Sequence, residues 1–161
     1  MMLYIGESLV GSGPETAHTN LVLGPRQGPA GIAFATALAT PRAGHLPFLT
    51  VLKPNVLAKP VTLFVNKVAV DGEIHGNLTW GAAQIGLAMG IRDAAGLLPP
   101  EAFDGWVCIA SVLVGGGARD ERAVFENQRR AARESVERAL RHEPDAASVA
   151  AAAAGNRFFT P

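Results

Sequence analysis

Glu15-Thr16-Ala17-His18-Thr19-Asn20-Leu21-Val22-Leu23-Gly24 is the stretch that decides how this chain is built. Read as an extended strand, its side chains alternate between two faces. Ala17, Thr19, Leu21 and Leu23 point one way; His18, Asn20 and Val22 point the other. Gly24-Pro25 ends the run. One face is fit for a core, and the other sets an imidazole and an amide two residues apart beside an apolar wall. Histidine can give or take a proton near neutral pH without a large change of its intrinsic acidity. A strand also holds it more rigidly than a loop would. A lone histidine on a half-buried strand is more often structural than catalytic, so spacing alone leaves both roles open for His18.

Working outward, Leu3 to Val10 reads as a first strand closed by Gly11-Ser12-Gly13-Pro14. After the His18 strand, Pro29 suits a first helical turn, and Ala30, Phe34, Ala37 and Leu38 fall on one helical face. Pro47 to Leu52 is strand-like. Val61 to Val70 is rich in β-branched residues and reads as a strand, with Leu63, Val65, Lys67 and Ala69 on one face. Lys67 is then a single cation in an apolar row. It either snorkels to water or is aimed at an anionic or carbonyl oxygen.

Asp71-Gly72-Glu73 reads as a turn, and Leu78 to Ala95 as a helix carrying Gly81, Gly86 and Gly90. Glycine weakens a helix, so three of them suggest the close approach of another backbone or a ligand. Gln84 offers a donor and an acceptor beside them, or is an ordinary solvent-facing amide. Trp106 to Val114 is a continuous apolar run, read as a central buried strand. Asp120 to Arg141 reads as a long helix with Glu134–Arg138 and Glu137–Arg141 pairs at i,i+4. Asp145 to Ala154 reads as a capped short helix before a tail that carries Phe158 and Phe159. The order β-β-α-β-β-α-β-α predicts one mixed sheet with helices on one face, a two-layer α/β domain over residues 1–144, followed by an Ala-rich helix and tail over 145–161.

Composition narrows the function. The 161 residues are 48% hydrophobic and 17% charged. Such a chain can build a large core, and some of its surface is expected to be covered by partner subunits. A net charge of +0 argues against a nucleic-acid binder. No stretch is long and apolar enough to span a bilayer. The start of the chain lacks a basic n-region, so a cytoplasmic protein is expected. The single Cys108 lies in an apolar run, where packing is its expected role, and a structural zinc site is not expected.

Gly6-Glu7-Ser8-Leu9-Val10-Gly11, Ala17-His18, Leu21 to Pro25, Ala33-Phe34-Ala35, Pro54-Asn55, Lys59-Pro60-Val61-Thr62-Leu63, Asn66-Lys67-Val68 and Gly81-Ala82-Ala83-Gln84 together resemble the formaldehyde-activating enzyme family. The resemblance runs from about Tyr4 to Glu143. It implies an enzyme of the carbon–nitrogen lyase or hydro-lyase type that condenses formaldehyde with tetrahydromethanopterin, giving methylenetetrahydromethanopterin and water. It also implies a two-layer α/β fold like a ribosomal-protein domain, a homopentamer with the pterin in clefts between subunits, and no metal. His18 falls on the family's proposed general acid. Asn20, Leu49, Lys67, Ala69 and Gln84 fall on its pterin-contacting positions. Three positions depart from the family pattern. Asn20 stands where Asp is usual, Ala69 where Thr is usual, and Gly115-Gly116-Gly117 close the last strand where Phe-Ile-His is frequent. Those departures leave room for an alternative, a catalytically weak paralogue that binds or senses a pterin or formaldehyde.

Overall fold

A computed structural model describes residues 2–152. The expected tail with Phe158 and Phe159, and the end of the expected Asp145–Ala154 helix, lie outside the described residues. Strands β1 (Tyr4–Val10) and β2 (Ala17–Pro25) form an antiparallel hairpin around a short 3-10 turn at Gly13–Glu15. Helix α1 (Pro29–Ala39) follows, then the short strands β3 (Phe48–Leu49), β4 (Val51–Lys53) and β5 (Val56–Leu57), then β6 (Val61–Asn66). Next come α2 (Gly72–Asn77), a π-helical stretch (Leu78–Ala83), α3 (Gln84–Asp93) and α4 (Ala102–Gly105). Strand β7 (Trp106–Leu113) and helices α5 (Glu121–Leu140) and α6 (Ala146–Ala151) complete the described chain.

The main sheet has the order β1-β2-β7-β6-β3, while β4 and β5 pair separately. Only the β6–β7 pairing is parallel, so the sheet is mixed, as expected. β7 is central, flanked by β2 and β6. The core lies between one sheet face and helices α3 and α5. Leu21, Leu23, Phe64, Cys108, Ala110 and Val112 meet Leu87 and Ile91 of α3 and Val124, Ala132, Val136 and Ala139 of α5. Cys108 is fully buried, and burial pushes its thiol pKa up to about 12, which suits packing and not reactivity.

The π-helical segment and the helices beside it revise the expected Leu78–Ala95 helix. The helical run begins at Gly72, inside the expected Asp71-Gly72-Glu73 turn. Gly86 and Gly90 admit a neighbouring backbone: a Cβ on Gly90 would lie 2.4 Å from the Arg129 carbonyl of α5. Gly81 has nothing within 4 Å of that position, so its presence has another cause.

Three further expectations change. β6 stops at Asn66 because the Asn66 side chain donates to the carbonyls of Gly44 (2.6 Å) and Val68 (2.7 Å), bending the chain away. Helices do not all share one face. The turn after Pro25 carries α1 onto the opposite face, where Ala30 meets Gly24, and Ala37 and Thr40 border Val65. Finally, β7 is not covered on both sides. Val112 is sealed, but Ile109, Ser111 and Leu113 on the α1 face are only half-buried.

On α5, Asp120 caps the helix by accepting from the Ala123 amide at 3.0 Å. The acids pair with the arginines that precede them: Arg130–Glu134 at 2.7 Å and Arg133–Glu137 at 2.9 Å, in place of the expected pairs with Arg138 and Arg141. Asp93 joins α3 to α5 through Arg129, with Nε 2.5 Å from Oδ2. The hydrogen bond from Arg129 holds the Asp93 carboxyl below its ordinary carboxylate value, and its side chain is only 18% exposed. A lowered carboxylate pKa contributes stability that is full above the unfolded value and is lost as pH falls through the folded value. Asp93→Asn is therefore expected to cost about 1 kcal/mol at about pH 6 and progressively less toward about pH 3, read from urea unfolding at each pH.

Candidate functional site

The α1 face of the sheet carries a polar row. Pairing register sets it out: His18 lies opposite Leu113 and Leu9, and Asn20 opposite Ser111 and Glu7. His18 Nε2 stands 2.9 Å from Glu7 Oε1, with the two side chains 31% and 47% exposed. Lys67 Nζ donates to Asn20 Oδ1. To do so it reaches over β7, where the small Ser111 pairs with both Asn20 and Val65. Lys67 is held at its base as well, since its backbone amide donates to the Val112 carbonyl at 2.8 Å. Burial lowers the Lys67 pKa from its ordinary value, and the Glu7 carboxylate partly opposes this. Lys67 thus points along the row and not out to bulk water.

The strand carrying His18 and Asn20 is clamped from behind. Thr19 is completely buried on the α5 side. Its hydroxyl accepts from Gln128 Nε2 at 2.5 Å, and its carbonyl accepts from the Ser135 hydroxyl at 3.1 Å. Ser8, next to Glu7, donates to Glu134 at 2.7 Å. Both strands of the hairpin are therefore fixed to α5 at the residues that alternate with the polar row.

Leu49 and Gln84 belong to a second place. A cleft of about 470 Å³ is lined by Leu46, Phe48, Leu49, Val51, Trp80 and Gln84. Gln84 is buried, and its Oε1 accepts from the Val51 amide at 2.6 Å, so it is not an ordinary surface glutamine. Trp80 projects from the π-helical segment and is 56% exposed. β3 lies three strands from β2, a separation of about 14 Å at the usual strand spacing, and no residue lines both places. Ala69 joins neither. It lies past the end of β6, where a Cβ on Gly44 would come within 2.8 Å of its own Cβ. The alternation that put Ala69 in line with Lys67 ends at the Asn66 bend.

Glu7 is the residue that sequence reasoning passed over. The signal was present: counting back through the hairpin from Ala17 opposite Val10 puts Glu7 opposite Asn20. Trp80 was passed over too, because a regular helix gives no reason for it to face the sheet edge. Among the described residues no three or more His, Cys, Asp or Glu side chains gather as a metal site would need. No helix among them is long and apolar enough to cross a membrane.

The family described as formaldehyde-activating enzyme (Fae) matches residues 5–158. The 5,6,7,8-tetrahydromethanopterin hydro-lyase of Methanosarcina barkeri is 43% identical over 142 residues, covering 87% of this chain and 80% of that protein. The bifunctional enzyme Fae/Hps of Archaeoglobus fulgidus is 39% identical over 151 residues, covering 92% of this chain. That of Methanothrix thermoacetophila is 39% identical over 150 residues, again covering 92% of this chain. The chain spans only 38% of the length of each of these two bifunctional proteins. These matches make the chain an enzyme of the hydro-lyase type. The chain belongs to the formaldehyde-activating enzyme family.

The clamp behind the row can be tested by itself. Thr19→Val keeps the shape and the β-branch but leaves the buried Gln128 amide without its partner. A loss of about 1–3 kcal/mol is expected. An unchanged denaturant midpoint would show that the clamp contributes nothing.

Proposed function

We propose that this chain condenses formaldehyde with tetrahydromethanopterin to methylenetetrahydromethanopterin and water, with His18 as general acid. The observation that carries this reading is the polar row itself, with His18 partly open to solvent and Asn20 and Lys67 tied together beside it. A secondary amine of the pterin adds to formaldehyde and gives a carbinolamine. Hydroxide is a poor leaving group, so a proton delivered to the departing oxygen lowers the barrier. The resulting iminium is then trapped by the second pterin nitrogen. Proton transfer of this kind is worth about 10²–10⁴-fold. Holding both reactants in one place supplies a further gain. Lys67 and Asn20 would hold polar groups of the pterin near His18, and Leu49 and Gln84 would meet another part of it.

The separation of the two clusters fits a site made by more than one copy of the chain. A pterin cleft between subunits would bring the His18 row of one copy to the Leu49–Gln84 cleft of the next. Helix α1 supports this arrangement. It carries no charged residue from Pro29 to Ala39, yet Ile32 is 73% and Leu38 44% exposed. Exposed apolar surface of that kind commonly marks an interface. Ala69, like Leu49 and Gln84, lies outside the row of its own chain, so its place in the site rests on the same shared arrangement.

Purified protein should accelerate the condensation over buffer. His18→Ala should remove about 10²–10⁴-fold of that rate while calorimetry still detects pterin binding. Absence of acceleration by the unaltered protein would end this reading, and tight binding without turnover would replace it with a carrier or sensor. Light scattering should give five times the 16.7 kDa of one chain. A monomer that is fully active would contradict a shared site.

A further inference from the structure

Glu7 is a diagonal neighbour of His18 across the β1–β2 hairpin, since His18 pairs with Leu9 and Glu7 with Asn20. Diagonal positions in an antiparallel pair are within reach of long side chains only. Glu7 spans that gap and places Oε1 2.9 Å from His18 Nε2. An ionised carboxylate can only accept a hydrogen bond, so in this contact the hydrogen sits on Nε2. The charged groups around the pair are few. Arg138 of α5 lies 3.9 Å from the other Glu7 oxygen, and Lys67 approaches Asn20 from the far side of β7. The β7 residues facing His18 and Asn20 are the neutral Leu113 and Ser111.

We propose that Glu7 is the positioning residue for His18, holding Nε2–H so that Nδ1 is the nitrogen that delivers the proton. The proposal rests on the reading of His18 as general acid. The ring acts as the imidazolium, with hydrogen on both nitrogens, and the proton on Nδ1 passes to the carbinolamine oxygen. The carbon–oxygen bond breaks with its electron pair on oxygen, and water departs. The adjacent nitrogen lone pair forms the iminium bond. Nδ1 is left with a lone pair and takes up the proton shed by the second pterin nitrogen as the ring closes, which restores the imidazolium. Nε2 keeps its hydrogen bond to Glu7 throughout, which fixes the ring plane against rotation during both transfers. The arrangement parallels the carboxylate of a hydrolase triad, which orients its histidine without being protonated itself. Asn20 carries no charge, so the carboxylate of this site comes from the neighbouring strand.

The experiment combines kinetics with NMR on the full chain. Glu7→Ala should lower kcat about 10–100-fold, within the range a general acid supplies, and leave KM for the pterin within about twofold. Glu7→Gln keeps the reach, but its amide can donate to Nε2 and favour the other tautomer, so it should not recover that loss; Glu7→Asp is one methylene short and should behave like alanine. Arg138→Ala should leave kcat within about twofold, because a surface ion pair is not the acting contact. Long-range ¹H–¹⁵N spectra should place the hydrogen of neutral His18 on Nε2 in the unaltered protein, with that preference lost in Glu7→Ala. The proposal is overturned if Glu7→Ala retains wild-type kcat while His18→Ala is inactive, or if the hydrogen is found on Nδ1. The NMR result needs no substrate and no variant. It therefore stands even if the alanine protein misfolds, and it separates failure of this proposal from failure of the assigned reaction.

Discussion

The bond between Gln128 and Thr19 is the constraint on which the molecule depends. It is a buried polar contact of 2.5 Å between the long helix and the second strand, beside the Ser135–Thr19 bond in a mainly apolar core. Apolar contacts are non-directional and choose a register less sharply than a polar pair does. A polar pair that must be satisfied in the dry interior fixes the register. Because successive residues of a strand face opposite ways, fixing Thr19 fixes His18 and Asn20 on the other side. Rigidity in the core is thereby converted into orientation at the surface. Ser8 and Glu134 do the same for the first strand, so the His18–Glu7 contact joins two elements that are both anchored.

Electrostatics on that face follow from its half-buried state. Lys67 loses hydration without gaining a direct carboxylate partner; its side chain bonds the Asn20 amide, and Glu7 acts on it only as a nearby charge. An ammonium in that state retains donor capacity for a polar ligand group. The row also remains partly open because α1 crosses only part of the face. Ile109, Ser111 and Leu113 are left half-covered, a surface that is neither core nor ordinary exterior.

Much of this was legible in the residues. The alternation through Ala17 to Leu23 gave both faces of β2 correctly, and β-branched and apolar runs marked β6 as a strand and β7 as a central one. Val124, Gln128, Ala131, Ser135 and Ala139 recur at helical spacing, and that stripe is the face α5 buries. What failed did so for local polar reasons. Nothing in a β-branched pattern announces that Asn66 will spend its side chain on two backbone carbonyls and stop the strand before Ala69. Pairing on α5 could run to either neighbouring arginine at equal spacing, and sequence does not choose between them. The site was half legible. His18 and Asn20 share a face as alternation implied, but that Lys67 joins them depends on the strand order, and Leu49 and Gln84 stand apart, since periodicity locates residues on an element and says nothing of which elements lie together. Glu7 required the hairpin register as well as the alternation.

The π-helical stretch Leu78–Ala83 has a consequence for how the gene can change. Such a widened turn is in effect one residue more than a regular helix would hold. Removing one residue from it would restore ordinary winding and leave the turns on either side in place, so Gln84 would keep the Val51 amide and Gly90 its groove against α5. What would move is Trp80, in the middle of the stretch. A single-residue deletion here would reshape the wall of the cleft and spare the scaffold that carries it.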